Sequence, residues 1–402
     1  MLIEHPKLRP LNLQWTQWEG QPVISLQDPL RLSEGVLMVA GPMAPLLALL
    51  DGTRDMDGLR VGFQLRTGMA LSPIQITGFI ESLDDALLLE NRRFRDAMEE
   101  AIRSYRSAPY RPPALAGAGY PDDPAALLDA LDAYCRDAGA DEEESIGQVL
   151  GVISPHIDFP RGWLTYVATW QRARAAGEEA DLIILLGTDH SGRLDSFTLT
   201  RQSYATPWGP LPTDRGLVDR LASILGDDDA FAQEVHHVGE HSIELASVWL
   251  HYIAGGKPKR LLPILCGPAD AAHGPDDAPL RNALALLAEV ASQENTLVVA
   301  AGDLSHVGPA FGDPSPLGPQ DKTRIHLSDE QWLEVACSGN SDLLMDHIRR
   351  QGDSTRICGA APIQYMLAIL PDPQGQVVAY DQCPADEEFG SIVSVAGVLY
   401  TA

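Results

Sequence analysis

The chain has 402 residues, 45% of them hydrophobic and 21% charged, and carries a formal net charge of −27 at pH 7. This length exceeds that of a usual single domain, so the sequence predicts two globular domains with a large core. Because binding to a polyanion relies on clustered lysine and arginine, the strong negative charge argues against nucleic acid as a partner.

The N-terminal segment and the cysteines indicate the compartment. MLIEHPKLRP has no basic segment followed by an apolar stretch, and no apolar run approaches the roughly 20 residues that span a bilayer. The five cysteines, Cys135, Cys266, Cys337, Cys358 and Cys383, are far apart and form no C-x-x-C pair. This spacing differs from a disulfide framework or a structural zinc site and suits a reducing compartment. We therefore expect a soluble cytoplasmic protein with no membrane partner.

Residues 1–112 form the first predicted domain. LNLQWTQWEGQPVISLQD predicts a hairpin that turns at Glu19-Gly20, GVLMVAG predicts a further strand, and a helix is predicted after Ser72-Pro73. Short strands followed by helices are the outline of a winged helix. The domain has 12 basic and 14 acidic residues, with no basic stripe on its presumed recognition helix. This charge distribution favours binding of a peptide or protein over DNA.

Residues 113–402 form the second predicted domain, and residues 109–119, which are rich in proline, glycine and alanine, are predicted to be the linker that leads into it. The runs VLGVISPH and DLIILLGTDH are continuously apolar, as in parallel strands buried on both faces, and residues 162–177 fit a crossover helix between them. NTLVVAAGDLSH predicts a third such strand, and SIVSVAGVLY a last one. The sequence therefore predicts an α/β fold with a mixed, largely parallel central sheet flanked by helices, preceded by a small α+β winged-helix domain.

Three of these predicted strands end in residues that can bind a metal. The first is followed by His156, the second by His190, and the third by Asp303, Ser305 and His306. In open sheets of this kind, ligands bind just beyond the carboxyl ends of the strands. A single histidine after a strand is more often a hydrogen-bonded structural residue, but three equivalent positions favour a site. Imidazoles with a carboxylate are typical of first-row metal sites that keep positions open for substrate.

The segment His237-Val-Gly-Glu240-His241 allows three interpretations. It matches H-x-x-E-H, the inverted zinc-peptidase pattern, in which two histidines bind zinc and the glutamate is the base. Gly239 lowers helix propensity within the pattern, so we favour a helix that begins near Glu240 and directs His241 into the cleft of the strand-end histidines. The third interpretation is a histidine that packs on the following apolar helix. Motifs for nucleotide binding and for acyl hydrolysis are absent from the sequence.

A series of short motifs over residues 114–402 resembles the Memo family, the B component of the AmmeMemoRadiSam system. In the order in which the family has them, these motifs are Gly117-x-x-Tyr120-Pro121, Ser154-Pro155-His156, Gly187-x-x-His190, Thr206-Pro207-x-Gly209, His237-x-x-Glu240-His241-Ser242-x-Glu244, Asp303-x-Ser305-His306 and Cys358-Gly359-x-x-Pro362-Ile363. The resemblance implies a fold like that of the class III extradiol dioxygenases. It also implies a divalent metal linked to redox chemistry, with non-haem iron or copper favoured and zinc as a further option. The N-terminal domain loosely resembles the peptide-binding winged helices that accompany radical-SAM enzymes.

The resemblance also assigns roles to residues of this chain. It implies His156 and His190 as metal ligands and places His241 in the pocket. Ser305 stands where animal members have a metal-binding cysteine, so it takes the third ligand position, although serine binds metals far less well than a thiolate. Asp303 or His306 would then complete the site. We expect His241, His306 and Asp303 to be the catalytic residues, with His241 or His306 moving protons.

Three functions are consistent with these features. The first is a metal-dependent, dioxygenase-like oxidoreductase that acts on a small molecule or a peptide. The second is a non-catalytic module in which the winged helix recruits a radical-SAM protein partner and the cleft holds a ligand. The third and least favoured is a zinc hydrolase that uses the H-x-x-E-H segment. The sequence leaves the substrate and the identity of the metal open.

Overall fold

The computed structural model describes residues 4–33, 35–139, 147–269 and 278–401. The chain divides into two compact units, Met1–Ser107 and Ala108–Ala402. The sequence prediction places this boundary at 112. Residues 108–112 fall in the second unit, where the backbone N–H of Arg111 donates to the carbonyl of Ser203 and its carbonyl accepts from Ala205. The acidic stretch 137–147 is predicted from its composition to be a solvated loop, and its residues 140–146 lie outside the described residues.

The first unit begins with the predicted hairpin. Its turn residues both have positive φ, 50° for Glu19 and 75° for Gly20, as a two-residue type I′ turn requires. β1 (Asn12–Trp18) pairs antiparallel with β2 (Gln21–Gln27), and β2 pairs antiparallel with β3 (Leu37–Ala40). The helices that follow are α1 (Ala44–Leu47), α2 (Met56–Thr67), α3 (Pro73–Asp85) and α4 (Arg92–Ser107). A capping box between Ser72 and Gln75 starts α3 at the predicted position. The winged-helix assignment itself stays a prediction.

The second unit alternates helices and strands. Its described helices are α5 (Pro124–Ala138), α6 (Phe159–Arg172), α7 (Arg174–Glu179), α8 (Arg215–Leu225), α9 (Asp227–Ala230), α10 (His236–Gly239), α11 (Ser242–Ile253), α12 (Ala278–Gln293), α13 (Pro319–Cys337), α14 (Ser341–Gln351) and α15 (Ala360–Ile369). Its described strands are β4 (Val149–Ser154), β5 (Leu182–Thr188), β6 (Phe197–Leu199), β7 (Tyr204–Thr206), β8 (Gly209–Leu211), β9 (Arg260–Cys266), β10 (Thr296–Ala301), β11 (His306–Val307), β12 (Gln374–Pro384) and β13 (Ile392–Thr401).

The central sheet has the strand order β11-β13-β4-β10-β5-β9-β6, and β12 pairs with β13. Strands β4, β10, β5 and β9 are mutually parallel, whereas β13 and β6 join them antiparallel. This arrangement confirms the predicted mixed, largely parallel sheet. β10 comes after β4 and β5 in the chain but lies between them in the sheet. The three strands predicted to carry site residues are therefore direct neighbours.

Helices cover both faces of this sheet, which explains why its strands are continuously apolar. All positions of β5 are buried. Its alternate residues enter two separate cores: Ile183 belongs to the cluster that contains Trp170 and Trp249, and Ile184 belongs to the cluster that contains Trp332. Each such fully buried aliphatic side chain stabilises the fold by about 1.5–3 kcal/mol. Among the described residues, the structure has no helix whose length and apolar character would let it cross a membrane.

Candidate metal centre

Three neighbouring parallel strands deliver polar residues to one edge of the sheet. β4 ends two residues before His156, β5 two before His190, and β10 two before Asp303. Because β10 is the central strand of the three, Asp303 can reach the turn after β4, and its Oδ1 accepts the backbone N–H of His156 at 2.8 Å. The carboxyl ends of these strands therefore converge as the sequence predicts.

The histidines form a compact triangle at this edge. Ring centroids are 5.1 Å apart for His156 and His190, 5.3 Å for His156 and His241, and 5.2 Å for His190 and His241. His241 precedes α11 and reaches the triangle from outside the sheet. His156 is buried, whereas the side chains of His190 and His241 are 39% and 36% exposed. One side of the triangle is therefore open to solvent.

Cys358 completes this cluster, and the prediction of site residues missed it. Its Sγ lies 3.3 Å from Nε2 of His156. Two groups of residues each bring potential ligand atoms within 4.8 Å of one another. The first group is His156, His190 and Cys358, and the second is His190, Glu240 and His241. Cys358 follows no strand, so strand-end reasoning could not find it. The only sequence signal was the Cys358-Gly359 motif within the family resemblance.

Glycines allow Cys358 to approach the strand end. A Cβ on Gly302 would lie 2.3 Å from the Cα of Gly359, so neither position has room for a side chain. The backbone N–H of Gly359 donates to the carbonyl of Asp303 at 2.9 Å, and the hydroxyl of Thr188 donates to the carbonyl of Cys358 at 3.1 Å. The turn that carries the thiol is thereby fixed against the ends of β10 and β5.

Hydrogen bonds set the orientation of each imidazole. Nδ1 of His156 donates to the carbonyl of Ala301 at 3.1 Å. Nδ1 of His190 lies 3.0 Å from Oε2 of Glu240, and Nδ1 of His241 lies 3.1 Å from Oε1 of the same carboxylate. An acceptor at Nδ1 keeps the proton there and leaves Nε2 as the basic atom, which is the tautomer that a metal ligand needs. Glu240 thus orients two of the three histidines.

The charges in the cluster favour a thiolate. Burial alone would raise the pKa of Cys358, but the nearby imidazoles of His156 and His306 outweigh it and hold the pKa well below its usual range. Burial likewise opposes protonation of His156, but the charges of Cys358 and Asp303 raise its pKa to about 9. The thiolate is the form of cysteine that binds metals. The cluster therefore contains three potential metal ligands, two imidazoles and one thiolate.

The remaining predicted residues lie around this cluster with different contacts. Ser305 is fully buried, and its hydroxyl donates to Oδ1 of Asp329 at 2.6 Å. Its role as a metal ligand stays a prediction; the thiol that lies beside Nε2 of His156 is that of Cys358. His306 is half-buried; its Nδ1 lies 3.0 Å from the carbonyl of Leu304, and its ring packs on Phe311. Oδ2 of Asp303 lies 3.8 Å from Nε2 of His156.

The zinc-peptidase interpretation of His237-x-x-Glu240-His241 is wrong in its geometry. α10 ends at Gly239, and Glu240 has extended backbone angles, so the two histidines do not share a helical turn. His237 is fully buried, with Tyr204 Oη 2.5 Å from its Nδ1 and the carbonyl of Thr198 3.0 Å from its Nε2. Burial lowers the pKa of His237 to about 3. Both of its nitrogens are occupied, so it has none left for a metal.

The fold and the cluster together define the class to which the second unit belongs. The second unit is an α/β protein with a site of metal-ligand type beyond the carboxyl ends of its parallel strands. A family model described as Memo-like protein matches residues 111–399. Since this match covers well over half of the chain, the protein belongs to the Memo-like family, and the resemblance drawn from its motifs is confirmed.

Curated relatives agree with this assignment. The MEMO1 family protein of Aquifex aeolicus is 26% identical over 402 residues, which cover 98% of this chain and 99% of the relative. The MEMO1 family protein of Thermus thermophilus is 27% identical over 319 residues, or 78% of this chain and 90% of the relative. That of Methanosarcina acetivorans is 25% identical over 260 residues, or 64% and 85%. The Aquifex match therefore extends through the first unit as well.

Proposed function

We propose that His156, His190 and Cys358 hold one transition-metal ion and that the second unit is a metal-dependent oxidoreductase. The observation that carries this proposal is the thiol of Cys358, 3.3 Å from Nε2 of His156, in a cluster whose ligand atoms all lie within 4.8 Å of one another. Hydrogen bonds at Nδ1 of both histidines leave their Nε2 atoms available as ligands.

The donor set fits a soft or borderline transition metal. Thiolate and imidazole together suit iron, copper or zinc, whereas magnesium and calcium prefer oxygen ligands. Only two imidazoles and one thiolate are proposed as ligands, and the exposed sides of His190 and His241 leave room for a substrate to approach. When bound, iron or copper would supply Lewis acidity and one-electron redox chemistry. This is the basis for proposing an oxidoreductase.

Three residues of the chain would support a reaction at this site. His241, held at Nδ1 by Glu240, can accept or release a proton at Nε2 on the open side of the cluster. His306 can do the same at its Nε2, since carbonyl oxygens surround its Nδ1. Asp303 binds the backbone N–H of His156 and fixes the turn that carries this ligand. Asp303 therefore acts in this proposal through the position of His156.

Elemental analysis tests the metal proposal directly. Purified wild-type protein should contain close to one equivalent of iron, copper or zinc, and the double substitution His156→Ala/His190→Ala should remove it. Circular dichroism establishes that the variant is folded. Equal metal content in the two proteins would end the proposal.

A partner-binding role for the first unit is the second candidate function. β1 is an edge strand of its small sheet, and on it Trp15 and Trp18 are 61% and 60% exposed. Extended peptides bind by adding a strand to such an edge, with side chains providing specificity. We propose that this unit recruits a partner, and the family resemblance makes a radical-SAM protein or its peptide substrate the candidate.

A pull-down with the full chain tests this second candidate. The bait would be wild type or Trp15→Ser/Trp18→Ser, and the prey a radical-SAM protein encoded beside this gene. Retention by the wild type and loss in the double variant is expected. Equal retention of the prey by both baits, or by neither, would refute the role of this edge.

A further inference from the structure

Arg111 and Glu244 form an ion pair in the interior of the second unit. Both side chains have 0% exposure, and Nη1 of Arg111 contacts Oε2 of Glu244. The carboxylate also accepts the backbone N–H groups of Ala114 and Leu115, at 2.7 and 2.8 Å, and the hydroxyl of Tyr120 at 2.6 Å. A buried charge is tolerated when it is paired and hydrogen-bonded in this way. The pair therefore fixes Arg111 firmly against α11.

The rest of the Arg111 guanidinium faces the main chain between α10 and α11. Its Nε donates to the carbonyl of His237 at 2.8 Å, and its Nη2 donates to the carbonyl of Glu240 at 2.8 Å. Carbonyls at the end of a helix lack partners within the helix and need donors from elsewhere. A planar guanidinium with five N–H donors can satisfy these carbonyls and Glu244 together, whereas a lysine ammonium lacks this fork geometry.

The residue that these contacts fix is Glu240. It adopts extended angles, φ −71° and ψ 132°, between the two helices. Its Oε1 accepts the backbone N–H of His241 at 2.7 Å and lies 3.1 Å from Nδ1 of the same residue. Its Oε2 lies 3.0 Å from Nδ1 of His190. A displacement of the Glu240 main chain would therefore shift the hydrogen-bond acceptor of two histidines at once.

We propose that Arg111 is a positioning residue of the metal centre. It holds the backbone of Glu240 in place, and Glu240 in turn holds His190 and His241 in the orientation that directs Nε2 into the cluster. The inference rests on the proposed function because it assigns Arg111 an effect on metal affinity. It deepens that function by extending the site to a residue at the very start of the second unit, well before any of the ligands in the chain.

Removal of Arg111 alone would leave Glu244 buried and unpaired, so the test variant removes both charges of the pair. Arg111→Met/Glu244→Gln removes both charges, which is far less destabilising than breaking the pair. Glu244→Gln alone is the matched control. The glutamine amide oxygen still accepts from the Arg111 guanidinium, which keeps its bonds to the two carbonyls. Because this variant leaves the arginine charge unpaired, it also shows whether a loss of stability alone weakens metal binding. Cobalt(II) is titrated anaerobically into metal-depleted full-length protein, and its visible spectrum reports both affinity and ligand geometry.

The double variant should bind cobalt about tenfold more weakly than wild type, the scale of effect seen when outer-shell partners of metal ligands are lost. Its ligand-field bands should also shift, which a general loss of stability would not cause. Glu244→Gln should keep the wild-type spectrum and affinity within about twofold. If the double variant does not fold, Arg111→Lys replaces it, and the same tenfold loss of cobalt affinity and shift of the ligand-field bands are expected. Wild-type affinity and spectrum in a folded variant that lacks the guanidinium would overturn the proposal.

A structural readout separates this inference from the proposed function. If wild-type protein gives no cobalt spectrum that depends on Cys358, the metal proposal fails. Crystal structures of the metal-free wild type and the double variant then decide the role of Arg111. Movement of the Glu240 carboxylate away from Nδ1 of His190 and His241 in the variant supports positioning, and an unchanged Glu240 refutes it.

Discussion

Two histidines four residues apart, His237 and His241, have opposite surroundings. His241 lies in the cluster at the strand ends, and His237 lies in a buried pocket. His241 is 36% exposed at its side chain and receives a carboxylate at Nδ1, which leaves Nε2 free to face two further imidazoles. His237 is fully buried between Tyr204 and the carbonyl of Thr198. The residue type is the same, but only one of the two can act in chemistry.

The backbone between these histidines causes the difference. α10 ends at Gly239, and α11 begins at Ser242, with Glu240 extended between them. A continuous helix would have placed His237 and His241 on one face, one turn apart. Because the helix breaks, His237 stays in the core, while Glu240 and His241 turn toward the strand ends. A spacing motif has its usual meaning only if the secondary structure that it assumes is present.

The largest expected effect on metal affinity comes from removing the thiol of Cys358, which belongs to the cluster and has no counterpart beside His237. Cys358→Ser should weaken metal binding by more than about 100-fold, because a hydroxyl is a far poorer ligand than a thiolate. Cys383→Ser is the matched control, since Cys383 is a buried thiol whose Sγ lies against the carbonyl of Arg161, away from the cluster. Cobalt titration of both variants makes the measurement. Equal affinities in the two would mean that Cys358 is not a ligand.

A smaller effect is expected from the carboxylate that orients two imidazoles. Glu240→Gln should weaken metal binding by about 10–100-fold, because an amide offers only one acceptor atom for two Nδ1–H groups. The substitution keeps the size of the side chain, and the contacts of His237 with Tyr204 and Thr198 should persist. Affinity is measured by titration and folding by thermal denaturation. Unchanged affinity in a folded variant would contradict the assigned role of Glu240.

Buried His237 should lower the free energy of unfolding at acid pH, whereas the residues of the cluster affect metal affinity. Burial, together with the nearby charges of Arg111 and His236, lowers the pKa of His237 to about 3, against about 6.5 in the unfolded chain. The unfolded chain therefore binds an extra proton below pH 6.5. The contribution of His237 to stability is complete above that pH and is lost as the pH falls towards 3. At pH 5 the loss is about 2 kcal/mol.

His237→Gln isolates this contribution from other titrating groups. Glutamine can still accept from Tyr204 and donate to Thr198 but does not titrate. Urea unfolding at pH 5 and pH 7.5 should show a smaller drop in the free energy of unfolding for the variant than for wild type, by about 2 kcal/mol. Parallel pH profiles for the two proteins would show that His237 is not held neutral by the fold.

The sequence predicted the parts of the site that follow local rules. Continuous apolar runs identified β4, β5 and β10, and the rule for strand ends placed His156, His190 and Asp303 at one edge. The insertion of β10 between β4 and β5 could not be predicted, because strand order depends on contacts between distant segments. Cys358 was missed for the same reason. A turn carries it to the site, and the close approach of Gly302 to Gly359 becomes visible only in three dimensions.

Ser305 gives the smallest expected effect on metal binding and shows the limit of carrying over a motif. The family resemblance implies a ligand at this position, but the hydroxyl of Ser305 donates to Asp329, a buried carboxylate that also accepts the hydroxyl of Tyr380 at 2.8 Å. Ser305→Ala should therefore destabilise the fold by about 1 kcal/mol through the lost hydrogen bond, with cobalt affinity unchanged within about twofold. Thermal denaturation and metal titration of the same preparation separate the two effects. A large loss of affinity at unchanged stability would return Ser305 to the ligand set.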